Sequence, residues 1–187
     1  NFPYKPTEEQ ENAVKSFAEF LFSPSADSVF LMKGYAGTGK TTLISALVRT
    51  LDSLQRKVIL LAPTGRAAKV FSGYAGHPAY TIHKKIYRQK VFSNETDNFV
   101  ANQNLHRNTL FIVDEASMIA NEGLSGGHFG SGRLLDDLVQ YVYNGLGCRL
   151  MLIGDTAQLP PIGEEESPAL SVAALQGYGL EVTECVL

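Results

Sequence analysis

Eight consecutive residues, Gly34-Tyr35-Ala36-Gly37-Thr38-Gly39-Lys40-Thr41, fit the pattern G-x-x-x-x-G-K-[ST] in full. Glycines at these positions let the backbone fold round a phosphate group and turn its N–H groups inward. The positive end of a helix that follows faces the same anion. The ammonium of Lys40 can reach β- and γ-phosphates, and the Thr41 hydroxyl can ligate Mg²⁺. Gly34, Ala36, Gly37, Thr38, Gly39, Lys40, Thr41 and Thr42 are therefore the expected contacts of ATP with Mg²⁺. A glycine-rich turn ahead of a helix would account for the glycines but gives Lys-Thr no task.

Two further segments carry groups suited to the same ligand. Leu110–Val113 ends in Asp114-Glu115. Asp114 would hold Mg²⁺ through its water shell, and Glu115 would orient or deprotonate an attacking water. Two acids can also cap a helix N-terminus, where carboxylates are favoured. Gly154-Asp155-Thr156-Ala157-Gln158-Leu159-Pro160-Pro161 offers an amide, Gln158, that can donate to a γ-phosphate oxygen and accept from water. The prolines stiffen that segment, so a change at Gln158 would be passed along it. Lys40, Asp114, Glu115 and Gln158 are the candidate catalytic set.

These segments need elements that bring them together. Four apolar runs, Val29–Met32, Val58–Leu61, Leu110–Val113 and Leu150–Ile153, are continuous rather than alternating. That is the pattern of strands covered on both faces in a parallel sheet. A weaker run closes the chain at Leu180–Leu187. Leucines at 43, 47 and 51 mark a helix after the first run, and Leu134, Leu138 and Val142 mark another, with Asn144-Gly145 as its stop. Alternating strands and helices predict an α/β fold, a doubly wound and mainly parallel sheet with helices on both faces. Gly34–Thr42, Pro63–Ala68, Asp114–Met118 and Gly154–Pro161 each follow a strand directly, so all four must converge at the carboxyl edge, where ligands of such sheets bind.

The 187 residues are 44% hydrophobic, enough for one domain with its own core. No apolar run approaches bilayer length and no signal-peptide pattern opens the sequence, so a cytoplasmic, membrane-free protein is expected. Cys148 and Cys185 match no metal spacing and read as buried thiols. Net charge is −3, yet 53–94 contains no acid and holds eight of the sixteen basic residues, among them Arg66 and Lys84. That one-sided field suits a polyanion, and it equally fits a solvated basic face.

Gly34–Thr42, Ala62–Ala68, Thr81-Ile82-His83, Val113–Met118 and Gly154–Pro161 together resemble helicase motifs I, Ia, Ib, II and III. Their order and wording are similar to the RecD and Dda branch of superfamily 1B DNA helicases. The resemblance, from Pro6 to the last strand, implies the first RecA-like P-loop motor domain, a monomer that couples ATP hydrolysis to 5′-to-3′ movement on single-stranded DNA. It implies DNA contacts at Pro63, Thr64, Arg66 and His83. A histidine satisfied beneath a helix is the plainer reading of His83. Thr7-Glu8-Glu9-Gln10 looks like the family's glutamine motif, with Gln10 on the adenine edge. The same residues also satisfy a capping box with Thr7 as N-cap. A small hairpin insertion is expected within 84–108, with Val91-Phe92 and Phe99-Val100 flanking the turn-rich 93–98, and a plain connecting hairpin is the simpler reading of so short a segment.

Such motors bind ATP between two RecA-like domains, the second supplying arginines. After Arg149 there is no arginine or lysine, and the sequence starts at Asn1 without methionine, so one motor domain without its partner is expected. Two other readings compete: a P-loop nucleotide kinase, which leaves Gln158–Pro161 without a role, and a non-catalytic nucleotide-dependent module recruiting a partner through the glycine-rich loop Asn121–Gly132.

Overall fold

The computed structural model describes residues 3–89, 99–121 and 129–187. Chain order is α1 (Glu8–Phe22), β1 (Ser28–Lys33), α2 (Lys40–Ser53), β2 (Lys57–Ala62), α3 (Gly65–Ala75), β3 (Ala79–Thr81) and α4 (Ile82–Ile86). There follow β4 (Tyr87–Gln89), β5 (Phe99–Ala101), β6 (Thr109–Val113), α5 (Leu134–Tyr143), β7 (Arg149–Gly154), α6 (Val172–Gln176) and β8 (Glu181–Val186). Short 3₁₀ turns occupy Ala116–Met118 and Pro168–Leu170.

Six strands form one parallel sheet in the order β3-β2-β6-β7-β1-β8. The central strands are the four apolar runs, and Val29–Met32 have no measurable exposure because helices cover both faces. Alternate residues of one strand serve different cores. Phe30 and Met32 pack with Phe17, Leu43, Leu47 and Phe71 of α1, α2 and α3. Val29 and Leu31 join Ile82, Leu135, Leu138 and Leu175 of α4, α5 and α6. The Phe17 ring meets Phe30 edge-on at 5.5 Å. This is the RecA-like α/β architecture, with a helical layer on each side of the sheet.

β3 was not foreseen. Its three residues are half-buried or exposed at the sheet edge, so no apolar run announces it. β8 matches the weak closing run, and as the opposite edge strand it leaves Cys185 half-buried where a buried thiol was expected. Cys148 is buried.

β4 and β5 make a separate antiparallel pair, Tyr87 opposite Ala101 and Gln89 opposite Phe99. Val91, Phe92 and 93–98 lie outside the described residues, as does 122–128 of the glycine-rich loop. Ring contacts and hydrogen bonds tie this pair to the body. Phe99 stacks on Phe129 at 4.5 Å. The Tyr87 hydroxyl donates to buried Asp137 of α5 at 2.6 Å, and Asp137 also accepts from the amide and hydroxyl of Ser131. A buried carboxylate this fully hydrogen-bonded is the condition for tolerating it there.

Candidate nucleotide site

The glycine loop joins β1 to α2, and two of its glycines take backbone shapes that a side chain opposes. Gly37 and Gly39 have φ of 82° and 85°. A Cβ at Gly39 would also stand 2.6 Å from the Gln10 amide nitrogen. Gly39 is the N-cap of α2 and supplies no side-chain cap, so the first amides of α2 remain available to an anion. The loop is pinned from below by the Gly34 amide, which donates to the Gly154 carbonyl of β7 at 3.2 Å. Lys40 Nζ donates to the carbonyls of Gly34 and Tyr35, each at 2.6 Å, and thus lies along the loop.

A cleft of about 470 Å³ at the carboxyl edge is lined by Ala36, Gly37, Gly39, Lys40, Thr41, Asp114, Glu115, Gly154, Asp155 and Gln158. Residues from three separate segments of the chain thus meet on one rim. Gly34 and Thr38 do not line the cleft but shape its loop, Thr38 through a hydroxyl bond to the Tyr35 carbonyl at 2.9 Å. Thr42, in the first turn of α2, is half-buried behind it. The Thr41 hydroxyl and the Asp114 carboxylate are hard oxygen donors on one cleft, a set that suits Mg²⁺.

The acidic side of the cleft is a hydrogen-bonded relay. Asp114 Oδ1 accepts from the Glu115 amide at 2.8 Å, and Oδ2 accepts from the Tyr74 hydroxyl at 2.5 Å. Glu115 sits in the left-handed region at φ 54°, an unfavourable place for a side chain that turns it off the strand end into the cleft. Gln158 Nε2 donates to Glu115 Oε2 at 3.1 Å, while Gln158 Oε1 accepts from the Ser117 hydroxyl at 2.5 Å. Asp155 holds the start of its own segment by accepting from the Ala157 amide at 2.8 Å. Burial pushes the Tyr74 phenol well above its ordinary range, and the neighbouring Asp114 charge adds to it, so Tyr74 stays a donor.

Sequence reading did not single out Ser117 or Tyr74. Ser117 lies inside the Asp114–Met118 segment, so its place in the motif was a usable signal. Tyr74 is 40 residues from Asp114 and carried none.

Gln10 forms both halves of the capping box: its amide donates to Thr7 Oγ1 at 3.2 Å, and its Oε1 accepts from the Thr7 amide at 3.1 Å. Its remaining donor, Nε2, reaches the Gly39 carbonyl at 3.4 Å. Gln10 thus stands against the phosphate loop with its oxygen engaged in the cap.

A second hollow of about 450 Å³ adjoins the cleft and shares Asp114, Glu115 and Gln158 with it. Its other walls are Thr64, Arg66, Ala67, Val70 and Met118. Thr64 caps α3 by accepting from the Ala67 amide at 3.2 Å, and half-buried Pro63 precedes it. His83 is not among these walls. Its ring packs on Phe129 at 5.1 Å and Tyr87 at 5.6 Å, and burial lowers its pKa. No helix among the described residues is long and apolar enough to cross a membrane.

The AAA domain family matches residues 5–184. The ATP-dependent RecD2 DNA helicase of Deinococcus radiodurans is 29% identical over 169 residues, 90% of this chain and 21% of that protein. The ATP-dependent DNA helicase Pif1 of Bdellovibrio bacteriovorus is 30% identical over 139 residues, 74% of this chain and 30% of that protein. The chain spans about a third or less of the curated relatives it matches. Among solved structures, the Pif1 helicase from Candida albicans superposes with a TM-score of 0.56 at 20% identity, covering 98% of this chain and 40% of that one. The Pif1 helicase from Bacteroides, solved with ADP-AlF3 and single-stranded DNA, gives 0.51 at 17% identity, with 98% and 42% covered. At these identities the two superpositions show a common fold. The chain belongs to the AAA domain family, as a nucleotide-binding motor domain of the kind found in the RecD- and Pif1-like helicases of superfamily 1B.

Proposed function

We propose that this chain is the ATP-binding half of a DNA helicase motor, coupling ATP hydrolysis to movement along single-stranded DNA. One observation carries the reading: Lys40, Thr41, Asp114, Glu115 and Gln158 share a cleft, and three of its residues also wall the hollow that bears Thr64 and Arg66. A nucleotide cleft and a neighbouring hollow with common walls can exchange information about each other's occupancy.

In this reading the β- and γ-phosphates lie on the amides at the start of α2. Lys40 exchanges the Gly34 and Tyr35 carbonyls for phosphate oxygens. Gln10, beside Gly39, turns its amide to the adenine edge. Thr41 and Asp114 would hold Mg²⁺, Asp114 through water, and the ion would supply charge neutralisation for the transferring phosphoryl group. Glu115 orients the attacking water and accepts its proton. Gln158, bonded to Glu115 and Ser117, is the group that distinguishes an intact γ-phosphate from a cleaved one. The stiff Leu159-Pro160-Pro161 run then carries that difference away from the cleft.

Single-stranded DNA crosses the face of Pro63, Thr64 and Arg66, with His83 contacting it from the aromatic cluster and the paired β4 and β5 forming a small insertion. The complex of the Bacteroides Pif1 helicase with single-stranded DNA supports a DNA ligand, and the superfamily 1B resemblance supports 5′-to-3′ movement. A second RecA-like domain completes the motor.

The test is a titration with a labelled oligo-dT strand, with and without a non-hydrolysable ATP analogue. Expected are weak binding that falls as salt rises from 50 to 200 mM and a several-fold change of affinity with the analogue. Arg66→Ala should weaken the DNA about fivefold, the worth of about 1 kcal/mol, and leave nucleotide affinity unchanged. DNA binding indifferent to salt, nucleotide and Arg66 would remove the helicase reading and keep the nucleotide site.

A further inference from the structure

Asp114 is attached to the end of β6, where rotation about its side-chain bonds could aim the carboxylate in several directions. The Glu115 amide holds one oxygen from its own segment. The other oxygen is held from a different layer of the fold, by the Tyr74 hydroxyl in the last turn of α3 at 2.5 Å. A hydrogen bond to an ionised acceptor is stronger and more directional than a neutral one.

Tyr74 is itself well fixed. Its carbonyl accepts from the Ser45 hydroxyl of α2 at 3.0 Å, and its ring lies 5.2 Å from that of Phe71. It therefore joins α2, which begins with Lys40 and Thr41, to α3, which is capped by Thr64 and carries Arg66 in its first turn. No other side-chain bond between α3 and the acidic pair occurs among the described residues.

We propose that Tyr74 is a positioning residue for the metal half of the nucleotide site, its hydroxyl aiming Asp114 at the water shell of Mg²⁺ and tying α3 to that aim. The proposal rests on the nucleotide reading of the cleft. It assigns Tyr74 no contact with nucleotide, metal or DNA; it acts through Asp114 alone. A merely structural tyrosine would contribute through its ring, which Tyr74→Phe retains.

The experiment titrates a fluorescent, non-hydrolysable ATP analogue into the chain in EDTA and again over a range of Mg²⁺ concentrations. Tyr74→Phe should keep the EDTA affinity within about twofold and the melting temperature near that of the parent. It should raise the Mg²⁺ concentration for half-maximal tightening about tenfold, the loss of one charge-assisted hydrogen bond. Asp114→Asn serves as the second arm. In its background Tyr74→Phe should change nothing further, because the two residues act as one unit.

An unchanged Mg²⁺ requirement in Tyr74→Phe overturns the proposal. So does an equal loss with and without Mg²⁺ accompanied by a lower melting temperature, or an additive effect in Asp114→Asn. If the parent chain binds no nucleotide with or without Mg²⁺, the reading of the cleft fails and takes this proposal with it. Failure in Tyr74→Phe alone leaves that reading standing.

Discussion

Lys40→Ala should abolish useful nucleotide binding, weakening it at least about a hundredfold. Two phosphate contacts from an ammonium are worth about 1.5–3 kcal/mol each as charge-assisted hydrogen bonds. Against that stands what Lys40 gives up on binding, its bonds to the Gly34 and Tyr35 carbonyls. The difference still corresponds to about two powers of ten. The fold should survive, since the half-buried Lys40 belongs to neither core cluster. Calorimetric titration with ADP and Mg²⁺, beside a melting curve, checks both halves of the expectation. Affinity within a few-fold of the parent, at equal stability, would count against a phosphate at this loop.

The second large effect concerns rate. Among the described residues lining the cleft Lys40 is the single cation, beside the three acids Asp114, Glu115 and Asp155. Phosphoryl transfer spreads negative charge over the equatorial oxygens, and an arginine placed there is worth about 10³–10⁵ in rate. The isolated chain should therefore bind ATP and hydrolyse it slowly, single-stranded DNA adding little, and should unwind no duplex. Single-turnover measurements with labelled ATP should show bound ATP surviving for minutes. Joining the chain to an arginine-bearing partner domain should raise the rate by about 10³ or more. Turnover near 1 s⁻¹ from the chain alone, stimulated by DNA, would contradict this.

Both predictions depend on strands that could be read directly from residues. Val29–Met32, Val58–Leu61, Leu110–Val113 and Leu150–Ile153 are unbroken apolar runs because each is buried between helices, and each became a central strand. Parallel pairing then obliged the polar segments after them to share an edge. Edge elements were harder to see. Ala79–Thr81 is too short and too exposed to show a period, and β8 alternates weakly because one flank is open.

Side-chain partnerships made across layers were not legible. Nothing in the local sequence joins Tyr74 to Asp114, since the bond exists only once α3 has packed on β2 and β3. Ser117 is fully buried two residues beyond Glu115, yet its partner Gln158 is set by the return of a different strand. Gln10 shows the opposite case, where local chemistry was legible: four residues suffice for a capping box, and both its bonds form. His83 stands in an acid-free stretch, and its ring contact with Phe129, far along the chain, had no local signal.

The account stands on Lys40, Asp114 and Gln158 serving one triphosphate. A crystal structure with a non-hydrolysable ATP analogue and Mn²⁺, located by its anomalous signal, measures that directly. The γ-phosphate should lie about 3 Å from Lys40 Nζ and Gln158 Nε2, with the metal peak between Thr41 and Asp114. A triphosphate bound elsewhere, or a metal without Asp114 in its water shell, would contradict it.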